Sequence, residues 1–196
     1  MDRQRRQHGG ARPPARRRGA EAIRAGGPKR GTAHPQDEAL GHSRGGLTTK
    51  LHLAVDGRGR PLAVTLTCGQ RHDSTQLEPL LDAIRAPRPA GQGRPRKRPD
   101  HLLADRGYSY PTCRRLLRRR GIPHTIPERS DQRARRARRP GRLLGFDRAR
   151  YRGRNVVERC FNRLKQFRAV ATRYDKRAVN YRAMVVVASL LVWLDG

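Results

Sequence analysis

Five side chains stand out for the chemistry that their types and spacing allow. In the stretch from about Arg154 to Arg168, read as a long helix, Arg154, Lys165 and Glu158 fall at about 0°, 20° and 40° on a helical wheel. Tyr151 lands near ~60° if the helix extends back that far. Val156, Val157, Cys160, Leu164 and Phe167 gather between roughly 200° and 300°, with Phe161 at the edge of the stripe. One face therefore packs on a core, and a separate face carries an acid flanked by two cations and a phenol. Arg154 and Glu158 also form an i,i+4 pair of the kind common on solvated faces. A lone carboxylate among many arginines is equally what a divalent metal site beside phosphates needs. Asp105 supplies a second acid. It ends the apolar run HLLADRGY, and ligand crevices in α/β folds lie beyond the C-terminal ends of strands. The plainer alternative is a turn aspartate before Gly107. Together, Asp105 and Glu158 suggest metal-assisted phosphoryl transfer, in which bound metal activates a water or a 3′-hydroxyl.

The elements that must position these residues follow from periodicity. Thr48–Gly69 alternates apolar residues on both sides of Asp56-Gly57-Arg58-Gly59, a β-hairpin pattern. Ser74–Ala86 reads as a helix with Ser74 as its N-cap. Pro87–Pro99 is a basic Pro/Gly loop, and His101–Tyr108 a short buried strand. Pro111–Gly121 predicts a basic helix, Ile122–Glu128 a short strand, and Arg129–Arg142 an arginine-dense loop. Tyr181–Leu194 reads as a buried C-terminal helix. The apolar run Ala183–Leu194 is shorter than the roughly 18–20 residues that cross a membrane. The order predicts a mixed α/β layer fold. Asp56 and Asp73 are expected as turn or cap residues.

Charge narrows the partner. The chain has 196 residues, 46 Lys+Arg against 16 Asp+Glu, and a net charge of +30. Such a surplus suits a polyanion, because each phosphate neutralised releases a condensed counterion. Hydrophobic residues make up 35%, below the usual roughly 45–50%. Between residues 2 and 38 the sole large aliphatic side chain is Ile23, so residues 1–38 read as a disordered Arg/Pro/Gly-rich tail. Cys68, Cys113 and Cys160 lack C-x-x-C spacing, which excludes a zinc ribbon or disulfide scaffold and predicts small buried hydrophobes in a reducing cytosol. No G-x-S-x-G elbow supports a serine hydrolase.

Tyr151-x2-Arg154-x3-Glu158-x6-Lys165 resembles the Y-x2-R-x3-E-x6-K signature of bacterial insertion-sequence transposases of the DDE type. LLADRGY is similar to that family's segment around its second acid, Gly41–Asp73 to the stretch between its first and second acids, and Asn162–Lys176 to the segment after its glutamate. The resemblance spans about residues 39–194. It implies a ribonuclease-H-like mixed sheet with flanking helices. It further implies Asp105 and Glu158 as catalytic metal ligands for Mg²⁺ or Mn²⁺. Tyr151, Arg154 and Lys165 would bind DNA or organise the site. The implied activity is cytoplasmic DNA transposition on double-stranded DNA, with no membrane partner and a homodimer as one option. The family's first aspartate sits on a strand upstream of Gly41, where this chain has no strand-like run. The expectation is therefore a partial catalytic domain over residues 39–196 that lacks its first strand and is impaired in catalysis. A non-catalytic basic DNA-binding protein and a nuclease of the same fold are the competing readings.

Overall fold

A β-hairpin and the helices on its two faces set the architecture in a computed structural model that describes residues 38–43, 46–88, 93–138 and 145–195. β1 (Gly41–Ser43), β2 (Gly46–Val55) and β3 (Pro61–Cys68) form one antiparallel sheet, with both β1 and β3 paired to β2. The β2–β3 connection is the Asp56-Gly57-Arg58-Gly59 turn. Asp56 Oδ1 accepts from the Arg58 and Arg60 amides at 2.9 Å each, and Gly59 takes φ 88°, which glycine adopts without strain. The expected hairpin is present, as is the turn role of Asp56.

A 3₁₀ turn (Asp73–Gln76) leads into α1 (Leu77–Ala83). The cap differs from the expectation at Ser74: His72 is the N-cap, and its ring nitrogen accepts from the Ser74 amide. β4 (Leu102–Leu103), α2 (Pro111–Arg119) and β5 (His124–Thr125) follow, and β4 pairs with β5 in parallel as a separate two-stranded sheet. Both strands are shorter than their apolar runs suggest. The arginine-dense segment is no loop throughout, since Ser130–Arg138 forms α3. Arginine and alanine are good helix formers, and Asp131 in the first turn with arginines in the last complements the helix dipole.

α4 (Arg148–Arg152), α5 (Asn155–Lys165), α6 (Arg168–Ala171) and α7 (Ala178–Leu194) complete the chain. The helix expected from about Arg154 to Arg168 is present as α5, three residues shorter at its C-terminal end, and it does not extend back to Tyr151. Tyr151 lies on α4, Gly153 breaks the path, and Arg154 is the residue before α5.

The hairpin is buried on both faces. Ala63 packs with Leu77, Leu80, Leu81 and Ile84 of α1 and with Cys113 and Leu117 of α2. Val64 packs on the other side with Cys160 and Leu164 of α5 and with Tyr181, Val185 and Val192 of α7. Each fully buried aliphatic side chain contributes about 1.5–3 kcal/mol. Cys113 and Cys160 are buried as expected, whereas Cys68 is only partly so. α7 is buried along one stripe alone. Its opposite face leaves Val179, Val186, Val187, Leu190 and Leu194 exposed, which corrects the reading of a fully buried helix. No helix among the described residues is long and apolar enough to cross a membrane.

Arg173 ties the start of the described chain to its end. It donates to the Glu38 carbonyl at 2.8 Å and Thr49 Oγ1 at 2.5 Å, and stacks on Tyr181 at 5.5 Å. The Glu38 carboxylate in turn accepts from the Ala178 amide at the start of α7. Residues 1–37, where the basic tail was expected, lie outside the described residues.

These packing roles separate two leucines. Leu164 is 0% exposed and Leu194 74% exposed. Leu164→Ala is expected to lower unfolding stability by about 2–5 kcal/mol, and Leu194→Ala to change it by less than ~0.5 kcal/mol. Urea unfolding followed through the single tryptophan, Trp193, measures both.

Candidate active site

The two acids singled out by sequence border the same groove, about 470 Å³ in volume, between the β2 and β4 strands. Lys50, Asp73, Asp105, Tyr108, Arg154 and Glu158 are among the polar residues that line it, and we refer to them as its mouth. Asp105 lies two residues past the end of β4 and holds a 3₁₀ turn (Arg106–Tyr108) by accepting from the Gly107 amide at 2.8 Å through Oδ1. The turn role and the groove position are therefore both real. A Cβ on Gly107 would lie 3.0 Å from Asp105 Oδ1 and 3.6 Å from Asp73 Oδ2, so glycine lets the two carboxylates flank one backbone point.

Glu158 sits in the first turn of α5, where the helix dipole favours an anion. Its Oε1 accepts from Arg154 at 2.5 Å, the i,i+4 pair expected from the wheel. Arg154 also lies 5.6 Å over the Tyr151 ring, and Tyr151 itself packs on Phe146 at 5.2 Å. Burial works to lower the Arg154 pKa, but the Glu158 hydrogen bond and the nearby Tyr151, Glu158 and Asp105 hold it above its usual range. Tyr151 thus props the arginine from α4, across the helix break. Lys165 stands apart. It is exposed two turns after Glu158, about 10 Å along the axis, and does not line the groove.

Asp73 corrects the sequence reading. Rather than capping the turn, its carboxylate reaches into the groove mouth and accepts from Lys50 Nζ at 3.0 Å. Lys50 Nζ also donates to the Arg71 carbonyl at 2.9 Å, which fixes the ammonium in place. The pairing joins residues 23 positions apart, so no local pattern announces it. Tyr108 lies against these acids. Burial first, then the charges of Asp73 and Asp105, push its hydroxyl above the ordinary phenol range, so it stays protonated as a donor.

The donor set suits a hard cation. Asp73, Asp105 and Glu158 each keep one carboxylate oxygen that accepts no hydrogen bond from the described residues, and carboxylate oxygens are what Mg²⁺ and Mn²⁺ prefer. Among the described residues, no three His, Cys, Asp or Glu side chains converge closely enough to enclose a metal alone. Bound metal would need water or phosphate oxygens to complete its shell, which is how Mg²⁺ is usually held.

His52 lines the groove wall, buried and hydrogen-bonded to Thr67 Oγ1 at 2.8 Å. Burial lowers its pKa below 6.5, reinforced by Lys50 and opposed by Asp73. The unfolded chain therefore binds a proton more readily than the folded one just below pH 6.5, and stability falls as pH drops through that window. Urea unfolding should show the wild type losing more stability than His52→Asn between neutral and mildly acidic pH. Equal losses would contradict the assignment.

Comparison with known proteins matches this sequence to a family. The family model described as a transposase DDE domain covers residues 20–193. A Burkholderia cepacia protein named as a transposase for insertion sequence element IS402 is 38% identical over 172 residues, 88% of this chain and 72% of that protein. A Brucella ovis protein named as a transposase for element IS6501 is 28% identical over 152 residues, 76% of this chain and 99% of that protein. No solved structure gives a significant match. The chain belongs to the DDE-domain transposases of bacterial insertion elements.

Proposed function

We propose that the groove mouth is the centre at which this transposase cuts and joins DNA strands, with Asp105 and Glu158 as its metal ligands. The carrying observation is that two acids 53 positions apart border one groove, each with a carboxylate oxygen that no described residue hydrogen-bonds. The metal is a hard divalent cation, Mg²⁺ or Mn²⁺, which would activate a water or 3′-hydroxyl and stabilise the leaving oxygen. The chain's own residues bind and orient the strand. Arg154, held by Glu158 and Tyr151, presents a guanidinium that suits bidentate phosphate contact. Lys50, fixed by Asp73, adds a point charge to the same groove lining. Lys165 continues the cationic face along α5 and contacts the backbone farther from the reacting phosphate.

The fold reading is a ribonuclease-H-like catalytic domain over residues 39–196 that lacks its first strand. Duplex DNA is the substrate, gripped largely through counterion release. α3 supports this grip, because Arg133, Arg135 and Arg138 are exposed and no acid among the described residues pairs with them. Catalytic output is weak in this reading, since Asp73 is engaged by Lys50 and among the described residues no strand brings a third acid to Asp105 and Glu158.

The test uses supercoiled plasmid carrying the element ends. Mn²⁺-dependent nicking should be abolished by EDTA and reduced at least ~100-fold by Glu158→Gln, while DNA affinity stays within about threefold. Salt-dependent binding with no metal-dependent nicking would leave a basic DNA-binding protein. Nicking without joining of strands would leave a nuclease. Gly107→Ala should impair nicking about tenfold or more with little loss of DNA affinity, because the added methyl meets the Asp105 carboxylate.

A further inference from the structure

No residue of α4 is buried, yet this short helix supplies Tyr151, the ring against which Arg154 stands. A helix without a buried face takes its position from a few discrete contacts, and two of them reach the β4 segment. A Cβ on Gly153 would lie 3.4 Å from Leu103 Cδ1, so the C-terminal end of α4 rests on the strand. The Arg150 guanidinium lies 3.0 Å from Nδ1 of His101, one residue before β4. Among the described residues, this is the one side-chain hydrogen bond that joins α4 to another element.

Donor chemistry fixes the state of the imidazole. A guanidinium has donors only, so His101 Nδ1 accepts and the ring proton sits on Nε2. Nε2–H then donates to Thr125 Oγ1 on β5 at 2.9 Å, where Thr125 is buried. One nitrogen anchors the ring in the two-stranded sheet, and the other reaches α4. The charged and titratable groups around the ring are Arg150 and Asp147 at the start of α4, and His124 on β5. Asp147 caps α4 by accepting from the Arg150 amide at 2.9 Å, and its other oxygen lies 3.4 Å from Arg150 Nε. Asp100, the chain neighbour of His101, is paired with Arg96.

We propose that His101 is a positioning residue: its neutral imidazole, hung from Thr125, holds Arg150 and so sets α4, which places the Tyr151 ring against Arg154. That Arg154 in turn meets a DNA phosphate rests on the function proposed above, whereas the placement of Tyr151 does not. A single proton undoes the link. Protonated Nδ1 becomes a donor on a cationic ring, and it cannot accept from a guanidinium. The bond to Thr125 survives, because Nε2–H donates in both states. Arg150 is left to Asp147 at the start of its own helix. Burial first, then Arg150 and His124, lower the His101 pKa below its ordinary 6.5, against the pull of Asp147. The link is therefore intact at neutral pH and opens as pH falls through a midpoint below 6.5.

Fluorotyrosine placed at position 151 of the full chain reports this by fluorine NMR. With His101 present, the signal should move between about pH 7.5 and 5. His101→Asn puts an amide oxygen where Nδ1 stood and cannot titrate, so its signal should keep the neutral position throughout. His101→Leu offers no acceptor and should displace the signal at every pH. Trp193 fluorescence should be the same in all three chains, which separates a local shift from unfolding. If His101→Leu fails to fold, the titration and the asparagine variant still decide. A signal that does not move in the wild type, or that moves equally in His101→Asn, overturns the proposal, as does a folded His101→Leu chain with an unshifted signal. Mn²⁺-dependent nicking reads the consequence. On acidification the wild-type rate should fall at least about threefold more than the His101→Asn rate, from neutral rates within about threefold of each other. If the fluorine signals behave as expected while the two nicking profiles coincide, the positioning stands and the phosphate contact assigned to Arg154 fails. Absence of nicking in every chain would contradict the catalytic reading alone, since the fluorine signals decide the positioning.

Discussion

Backbone hydrogen bonding is the constraint on which this structure turns. Every strand has two edges of donors and acceptors, and each must find partners or face water. β2 satisfies one edge with β1 and β3, and β4 satisfies one with β5. The chain therefore has two small sheets in place of one continuous sheet, with a groove between their remaining edges. That groove is also what brings Asp105, at the end of β4, into the same space as Glu158 on α5 and Asp73 after β3. The gap in the sheet and the location of the acids are one fact seen from two sides.

Charge at the mouth is balanced in pairs. Asp73 holds Lys50, Glu158 holds Arg154, and Asp105 is held by a backbone amide. These contacts are partly exposed, so each ion pair contributes little to stability. Their value is positional. They fix two cations and three carboxylates around one groove while leaving an oxygen of each acid without a hydrogen bond among the described residues. In a chain of +30, that concentration of acid beside cation is what distinguishes this place from the arginine-rich surface elsewhere.

Much of this was legible in the sequence where local physics decides. The Asp56–Gly59 turn and the alternation around it specify the hairpin, and the wheel of α5 correctly separates the buried Cys160–Leu164 stripe from Glu158. The Arg154–Glu158 contact follows from helical spacing alone. Asp73 was misjudged because its partner, Lys50, lies on a different strand and its role is set by tertiary contact. α3 was missed because arginine density reads as solvated loop, although arginine itself favours helix. The exposed face of α7 is not legible because the run Ala183–Leu194, apolar but for Ser189, looks the same whether one side or both are covered. Tyr151 reaches Arg154 as the wheel suggested, but across a helix break rather than along one helix.

The central claim is that Asp105 and Glu158 share one metal-binding mouth. Anomalous diffraction from Mn²⁺-soaked crystals of the full chain tests it most directly. The account requires a Mn²⁺ peak bonded to the free oxygens of both Asp105 and Glu158, lost in Glu158→Gln crystals. Mn²⁺ bound to only one of them, or held at another acidic pair such as Glu78 and Asp82, would contradict it.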